Sequence, residues 1–394
     1  MHALTAVLIA QFFSAFADNV LLFTAIAVVK KAHYAAWAIP LLQEFFVLAY
    51  IILAPFVGPL ADAFSKNRVM LVANGIKLIA AIMMLFSANP FFVYALVGAG
   101  AAAYSPAKYG ILPQLMPPGK LVRANSAVEG LTIAAILLGV VLGGYLADQS
   151  ILIALCAVIA CYFLAMFANL KIPVLAVKRP LTHLSLTTMW KEFWPSVGAL
   201  WKDKPAQFSL LGTAAFWGCG ATLRFLLIAW VPIALGDNSN ALPANMNGGV
   251  AVGIVLGAIL AAKFVNLDTL HRSLPAGCIF GIAIILFAGV THLYTAFALL
   301  IIVGAAGGLS VVPLNAVLQN RGEKLVGAGN AVAVQNLFEN TGMLILLTAY
   351  TALSSAHADV IIIGQCLGVF ITLMLGGLWW DFISKRRAQS LTTD

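Results

Sequence analysis

The sequence predicts an all-α polytopic membrane protein, with twelve transmembrane helices in two pseudo-symmetric bundles of six. Three observations predict this fold class. Hydrophobic residues make up 62% of the 394 positions and charged residues only 9%, whereas about a quarter of the residues in a soluble domain carry charge. Apolar stretches near the ~20 residues needed to span a bilayer recur along the whole chain. The second half of the chain also repeats the first at a constant offset.

Twelve apolar stretches are long enough to be membrane-spanning helices. They lie at 3–30, 36–61, 69–88, 91–113, 122–146, 150–170, 207–235, 247–265, 273–291, 294–317, 327–353 and 359–380. The first stretch has no basic segment before it and exceeds the apolar segment of a signal peptide in length, so we expect a retained helix. All five Cys residues fall inside these stretches without paired spacing, which favours packing over disulfides or metal ligands.

An internal repeat appears when the chain is shifted by 204 residues against itself. KLVRANSAV at 120–128 then aligns with KLVGAGNAV at 324–332, with six of nine positions identical. The same offset aligns GAA at 100–102 with GAA at 304–306. Because the offset spans six helices, an even number, both halves have the same orientation in the membrane, as in parallel transporter repeats. Glycines four residues apart, at 139 and 143 and at 253 and 257, predict close helix packing.

The longest polar connection divides the chain almost equally. We expect a six-helix bundle at 1–170, a cytoplasmic linker at 171–206, a second six-helix bundle at 207–382 and a cytoplasmic tail at 383–394. In the linker, aromatic residues alternate with Lys and Glu, which predicts a helix lying at the membrane interface. A plain linker is the alternative.

The formal charge of +8 is explained by topology. Most of the 22 Lys and Arg residues fall in connections on one side of the predicted membrane, whereas Lys30 and Lys31 fall on the other. The positive-inside rule then places both termini in the cytoplasm. The basic excess needs no nucleic-acid partner, and none is expected.

The connection between the second and third stretches reads GPLADAFSKNRVM at 58–70. It resembles the signature loop of the major facilitator superfamily, in which a glycine, an aspartate and basic residues latch one conformer. The resemblance assigns this conformational gate to Gly58, Asp62, Lys66 and Arg68. The alternative is an ordinary short cytoplasmic loop.

Two opposite charges lie in the middle of predicted spans. Asp18 is central in QFFSAFADNVLLF at 11–23, and Arg224 is central in GATLRFLLIAW at 220–230. A charge at a helix centre costs about 2.5–3.5 kcal/mol on insertion scales, so it usually faces a partner or a cavity. The offset places the two at nearly equal depth, so they either form a structural ion pair or both face one polar ligand. Such a ligand would be a zwitterion, with phosphate at the Arg and ammonium at the Asp.

A second set of opposite charges is formed by Lys108 and Glu339. We predict that it contributes substrate contacts or a gate, together with the neighbouring polar residues Asn19, Tyr104, Gln335, Asn336 and Asn340. Glu44, Lys77 and Glu129 lie nearer the ends of their spans, where pairing or snorkelling is cheap, and we expect a structural role for them.

The motifs of catalysis are missing from the sequence. It contains no G-x-x-x-x-G-K-[ST] phosphate loop, no cluster with metal-ligand spacing and no nucleophile elbow. No His has an Asp five positions later, the pattern of membrane-bound glycerolipid acyltransferases. We therefore expect no cofactor and no enzymatic activity.

Several stretches together resemble the LplT family of bacterial lysophospholipid transporters, within the major facilitator superfamily. These are QFFSAFADNVLLF, GAGAAAYSPAKYGIL at 98–112, LTIAAILLG at 131–139, ATLRFLLIAWVPIALG at 221–236 and GAGNAVAVQNLFEN at 327–340. The resemblance implies movement of lysophosphatidylethanolamine and lysophosphatidylglycerol from the outer to the cytoplasmic leaflet of the Gram-negative inner membrane. It also implies a functional partner, an acyltransferase with acyl-carrier-protein synthetase activity.

Two other functions compete with this one. A facilitator that exports drugs or metabolites in exchange for protons would use Asp18 or Glu339 as the proton carrier. A membrane scaffold for the acyltransferase, without transport, would need neither charge.

Overall fold

The computed structural model describes residues 2–116, 121–175, 185–265 and 274–391. Within these ranges the chain forms thirteen α-helices and one short 3-10 helix at Ala36–Ala38. The α-helices are α1 His2–Lys31, α2 Leu41–Ala63, α3 Lys66–Leu85, α4 Pro90–Leu115, α5 Leu121–Gln149, α6 Ile151–Leu170, α7 Leu186–Lys202, α8 Lys204–Leu235, α9 Ala241–Phe264, α10 Leu274–Ala288, α11 Leu293–Val326, α12 Ala328–Ser355 and α13 Val360–Leu391.

The all-α membrane fold is confirmed. Helices α1–α6 and α8–α13 coincide with the twelve apolar stretches, and α7 lies in the connection between them. Nine helices of the described ranges are long and apolar enough to cross a membrane, and α4, α10 and α12 are not among them. The described part of α10 has 15 residues, whereas α4 and α12 carry the polar positions around Lys108 and Glu339.

The internal repeat is also visible in the helix bounds. Shifting α1 by 204 residues gives 206–235, and α8 spans Lys204–Leu235. The same shift of α4 gives 294–319, which lies inside α11, Leu293–Val326. The division into bundles at 171–206 stays a prediction.

Glycines bring helices into close contact, as their spacing predicts. A Cβ added at Gly139 would lie 2.7 Å from the carbonyl oxygen of Phe16, and one at Gly143 would lie 2.8 Å from Cα of Val20. Helix α5 therefore packs directly on the backbone of α1. Gly253 on α9 contacts the backbone of α11 in the same way.

Contacts between the two repeats are made mainly by α2 with α12 and by α5 with α9. At the end of α5, the Asp148 carboxylate accepts hydrogen bonds from the backbone N–H of Asn240 at 2.9 Å and of Ala241 at 2.8 Å. It also accepts one from the Asn240 side chain at 2.7 Å, and Lys30 donates to Asn240 Oδ1 at 2.7 Å. We call this group, Lys30, Asp148, Asn240 and Ala241, the α5–α9 closure.

Glu44 bridges helices, as its predicted structural role requires. Its carboxylate accepts hydrogen bonds from Thr351 at 2.6 Å and Thr348 at 3.2 Å, which joins α2 to α12. The side chain of Glu129 lies outside the described residues.

The connection between the repeats contains the amphipathic helix α7. Met189, Phe193 and Leu200 are buried on one side, whereas Trp190 and Trp194 are exposed. The ring of Trp190 stacks on Phe56 of α2, and Trp201, at the other end of α7, stacks on Phe338 of α12. A helix in the linker was predicted, and α7 is that helix. Its aromatic rings pack on α2 of the first repeat and on α12 of the second.

The connection between α2 and α3 is very short. Helix α2 ends at Ala63 and α3 begins at Lys66, and both Phe64 (φ −120°) and Ser65 (φ −62°) have ordinary backbone angles. No glycine is needed at this turn, because neither residue adopts a positive φ.

Candidate functional site

A polar cavity of about 250 Å³ lies among the first five helices. Asp18 and Asn19 of α1, Lys77 of α3 and Lys108 of α4 line it. Arg224 of α8 is the one described lining residue from the second repeat. At roughly 30 Å³ per molecule of liquid water, the cavity has the volume of about eight waters. That is enough for a small polar headgroup.

Both carboxylate oxygens of Asp18 accept hydrogen bonds from residues of the first repeat. Lys77 Nζ donates to Oδ2 at 2.6 Å and Tyr162 donates to Oδ1 at 2.7 Å. Lys77 also donates to Ser14 at 3.1 Å, and Ser14 donates to Asn74 at 2.7 Å. This network ties α1 to α3 and α6, and its hydrogen bonds offset the cost of burying two charges.

The structure shows which residue is the ion partner of Asp18. It is Lys77, for which the sequence predicted a structural role by pairing or snorkelling, and Lys77 is 2% exposed and lines the cavity. A direct Asp18–Arg224 ion pair is not formed among the described residues. The two charges instead face one cavity, the other arrangement that the sequence left open.

Arg224 and Tyr104 bring unsatisfied polar atoms to the cavity wall. Among the described residues, neither Arg224 Nε nor the Tyr104 hydroxyl has a hydrogen-bond partner, although both atoms are buried. Tyr94, a further lining residue, is close enough to interact electrostatically with both Asp18 and Arg224. Buried donors without partners are rare in folded proteins, so they indicate a place for a ligand acceptor.

The other predicted residues of the first repeat also reach the cavity. Lys108 lines it with Nζ 4.2 Å from the centre of the Tyr109 ring. Asn19 lines it while its amide donates to Ala15 O of its own helix at 2.9 Å. Both positions stay predicted contacts.

Glu339 forms a separate polar group with α11 and α8. Gln335 Nε2 donates to Glu339 at 2.7 Å and to Asn315 at 2.9 Å. Thr213 and Trp217 of α8 lie beside the Glu339 carboxylate, and Glu339 is 8% exposed. In this conformer Lys108 lines the cavity and Glu339 does not, and their shared role in substrate contact or gating stays a prediction.

The two asparagines beside Glu339 differ in their surroundings. Asn340 is buried, and its amide donates to the Asn336 carbonyl one turn earlier at 2.7 Å. Asn336 is half-buried. Neither lines the cavity among the described residues.

The predicted gate lies where α2 meets α3. Lys66 is buried and donates to the Ala61 carbonyl at 2.7 Å, which caps the end of α2, whereas Arg68 is exposed. A Cβ added at Gly58 would meet no described atom within 4 Å, so no helix of the described ranges approaches closely there in this conformer. The Asp62 side chain lies outside the described residues.

Sequence reasoning missed several lining residues. Gln11, Ser14 and Asp18 are spaced three and four apart in α1 and so lie on one helical face. That spacing was readable in the first stretch, and it marks the face that lines the cavity. No comparable pattern marked Tyr50 of α2 as a lining residue, because it is a single aromatic residue in an apolar helix.

Comparisons with known proteins agree with this architecture. The model of the Major Facilitator Superfamily matches residues 7–346. The chain is 51% identical over 388 residues to a lysophospholipid transporter LplT of Serratia proteamaculans, covering 98% of this chain and 97% of that one. It is also 51% identical over 374 residues to LplT of an Escherichia coli O6 strain, covering 95% and 94%. The chain belongs to the LplT family of the major facilitator superfamily.

Solved structures of distant facilitators share the fold. The nucleoside transporter NupG superposes with a TM-score of 0.71 at 14% identity, over 98% of this chain and 99% of that one. The human organic anion transporter MFSD10 gives 0.69 at 15% identity, over 96% and 98%. At such identities the likeness concerns the fold alone, and LplT membership rests on the sequence matches.

Proposed function

We propose that this protein transports lysophospholipids, chiefly lysophosphatidylethanolamine and lysophosphatidylglycerol, from the outer to the cytoplasmic leaflet by alternating access. It is a transporter and not an enzyme. Support comes from the identity of 51% over almost the full length to proteins named as lysophospholipid transporters. The motif-level resemblance points to the same substrates and direction.

The observation that carries the proposal is the pair of unsatisfied donors at the cavity wall. Arg224 Nε and the Tyr104 hydroxyl are buried without partners, and phosphate oxygens are strong acceptors for both groups. The phosphodiester shared by all lysophospholipids would bind there. An ammonium group of the same headgroup would face the Asp18 carboxylate, with Asn19 and Lys108 beside it.

The cavity volume supports separate places for the headgroup and the acyl chain of the lipid. A space of about 250 Å³ holds the polar headgroup, while the single acyl chain has no need of a polar wall. We propose that Glu339, Gln335, Asn336 and Asn340 form a second polar surface that the headgroup meets as the two repeats rearrange. Tyr50 of α2, which lines the cavity, would lie on the headgroup's path between the two polar groups.

The proposed direction of movement is consistent with the proposed topology. With both termini in the cytoplasm of a Gram-negative cell, the α5–α9 closure lies at the outer surface of the inner membrane. This conformer is then closed to the outside. Gly58, Asp62, Lys66 and Arg68 would latch the cytoplasmic ends in the opposite conformer, and an acyltransferase with acyl-carrier-protein synthetase activity would reacylate the delivered lipid.

Uptake of radiolabelled lysophosphatidylethanolamine into spheroplasts that lack their own transporter tests the proposal. We expect Arg224→Ala to lower uptake about tenfold or more, because a hydrogen bond to a charged group contributes about 1.5–3 kcal/mol. Lys263→Ala, which removes an exposed basic residue of α9, is the matched control. If the expressed, folded chain gives no uptake, the proposed substrate is wrong. If Arg224→Ala transports normally, the phosphate assignment is wrong.

A further inference from the structure

The ion pair between Asp18 and Lys77 occupies the position where an ammonium headgroup would bind. Lys77 Nζ lies 2.6 Å from Oδ2 of Asp18, and both side chains line the cavity. The Asp18 carboxylate is 18% exposed, so a ligand in the cavity can reach it, whereas Lys77 is 2% exposed. A cation that enters therefore competes with Lys77 for Asp18.

Charge makes this competition selective for the headgroup. Lysophosphatidylethanolamine carries an ammonium and a phosphate, whereas lysophosphatidylglycerol carries the phosphate and an uncharged glycerol. Only the first brings a cation that can replace Lys77 on Asp18. For the second, the existing ion pair must persist, because a free carboxylate in a buried cavity would repel a headgroup of net negative charge.

We propose that Lys77 is a specificity-determining residue, which neutralises Asp18 and thereby allows a headgroup without an ammonium group to occupy the cavity. The inference rests on the proposed function for the identity of the two lipids. When the zwitterionic lipid binds, its ammonium takes the Asp18 position and the displaced Lys77 ammonium joins Arg224 near the phosphate. When the anionic lipid binds, Lys77 stays on Asp18 and Arg224 neutralises the phosphate.

The surroundings of Asp18 supply no substitute for Lys77. The second oxygen of the carboxylate is bound by the neutral hydroxyl of Tyr162. Ser14 and Asn74 complete the network with further neutral groups. Among the described residues, Lys77 is the one basic side chain within ion-pair distance of Asp18.

The test is the ratio of lysophosphatidylethanolamine to lysophosphatidylglycerol uptake by the full chain in spheroplasts. We expect Lys77→Met to raise this ratio at least tenfold, because the bare Asp18 attracts the ammonium lipid and repels the anionic one. Asp18→Asn/Lys77→Met removes both charges, and we expect it to bring the ratio back to within about threefold of the wild type. Tyr162→Phe, which removes a neutral hydrogen bond from the same carboxylate, should leave the ratio unchanged.

The outcomes separate this inference from the proposed function. A structural role for Lys77 would lower uptake of both lipids together and leave their ratio unchanged, which would overturn the inference. If Lys77→Met does not fold, Lys77→Gln replaces it, because Gln removes the positive charge but can still donate a hydrogen bond to Asp18. A ratio raised at least tenfold in Lys77→Gln supports the inference, and an unchanged ratio overturns it. Absence of uptake of both lipids by the wild type would instead overturn the proposed function.

Discussion

At the scale of single residues, the free-energy cost of burying a charge indicates which side chains are candidates for the polar site. Asp18 and Arg224 could be recognised from the sequence as candidate site residues, because an ionised group in a membrane span needs a partner or a polar cavity. Lys77 could not be assigned to Asp18, because 59 residues separate them along the chain. A single sequence does not say which faces of α1 and α3 meet.

The Asp18–Lys77 pair also predicts a stability effect. Lys77→Met leaves Asp18 without its cation, and breaking a buried ion pair in this way costs about 3–5 kcal/mol. We expect a markedly lower melting temperature for the purified protein in detergent. Asp18→Asn/Lys77→Met, in which no charge remains, should recover most of the loss, and equal destabilisation by the single and double variants would contradict this account.

At the scale of helices, length and apolarity predicted where most helices lie. In the described ranges, α4, α10 and α12 fall outside the set of helices that are long and apolar enough to cross a membrane, and for α10 the reason is the short length of its described part. Helix α7 was predicted from its aromatic and charged residues, but its stacking on α2 and α12 was not. Such contacts depend on tertiary packing, which sequence periodicity does not encode.

Close packing of α1 on α5 gives a matched pair of glycine substitutions. In Gly143→Ala the new Cβ would lie 2.8 Å from the Val20 backbone, which cannot move aside easily. We expect a loss of about 1–3 kcal/mol, the usual cost of overpacking. Gly130→Ala on the same helix meets nothing within 4 Å, and should gain about 0.5–1 kcal/mol from the better helix propensity.

Thermal unfolding of both variants in the same detergent measures the difference. Equal melting temperatures for Gly143→Ala and Gly130→Ala would show that α1 and α5 are not in backbone contact.

The start of α8 predicts a dependence of stability on pH. Asp203 caps α8 by accepting from the Ala206 N–H at 3.1 Å, and Arg321 Nε donates to it at 3.1 Å. The hydrogen bond from Arg321 lowers the pKa of the Asp203 carboxyl. A lowered folded-state pKa stabilises the protein above the unfolded value of about 3.9, and this contribution is lost as the pH falls through the folded value.

Asp203→Asn isolates that contribution, because Asn still caps a helix but carries no charge. We expect the variant to be less stable at pH 7 by about 1 kcal/mol, since Arg321 is 44% exposed and water screens the pair. The difference between the melting temperatures of the wild type and Asp203→Asn should disappear below pH 4. A gap that stays constant with pH would mean that the charge of Asp203 contributes nothing.

At the scale of the whole molecule, the offset of 204 residues predicted the repeated succession of helices. It did not predict which conformer the chain adopts, because both conformers use the same helices and differ in contacts between the repeats. Those contacts at one end are formed by Asp148, in the last turn of α5, and Asn240, at the start of α9, and neither residue belongs to a motif. The cavity was likewise predicted only through its charges, and its small volume came from the packing of α1–α5.

Reversible cross-linking of the α5–α9 closure tests most directly whether lysophospholipid crosses by alternating access. Asp148→Cys/Asn240→Cys, with the native cysteines replaced, would be joined by a short methanethiosulfonate cross-linker in spheroplasts taking up radiolabelled lysophosphatidylethanolamine. We predict that cross-linking lowers uptake at least tenfold and that a reducing agent restores it, with either single cysteine as the control. Uptake that continues unchanged in fully cross-linked protein would contradict the account, because the outer end would then not need to open.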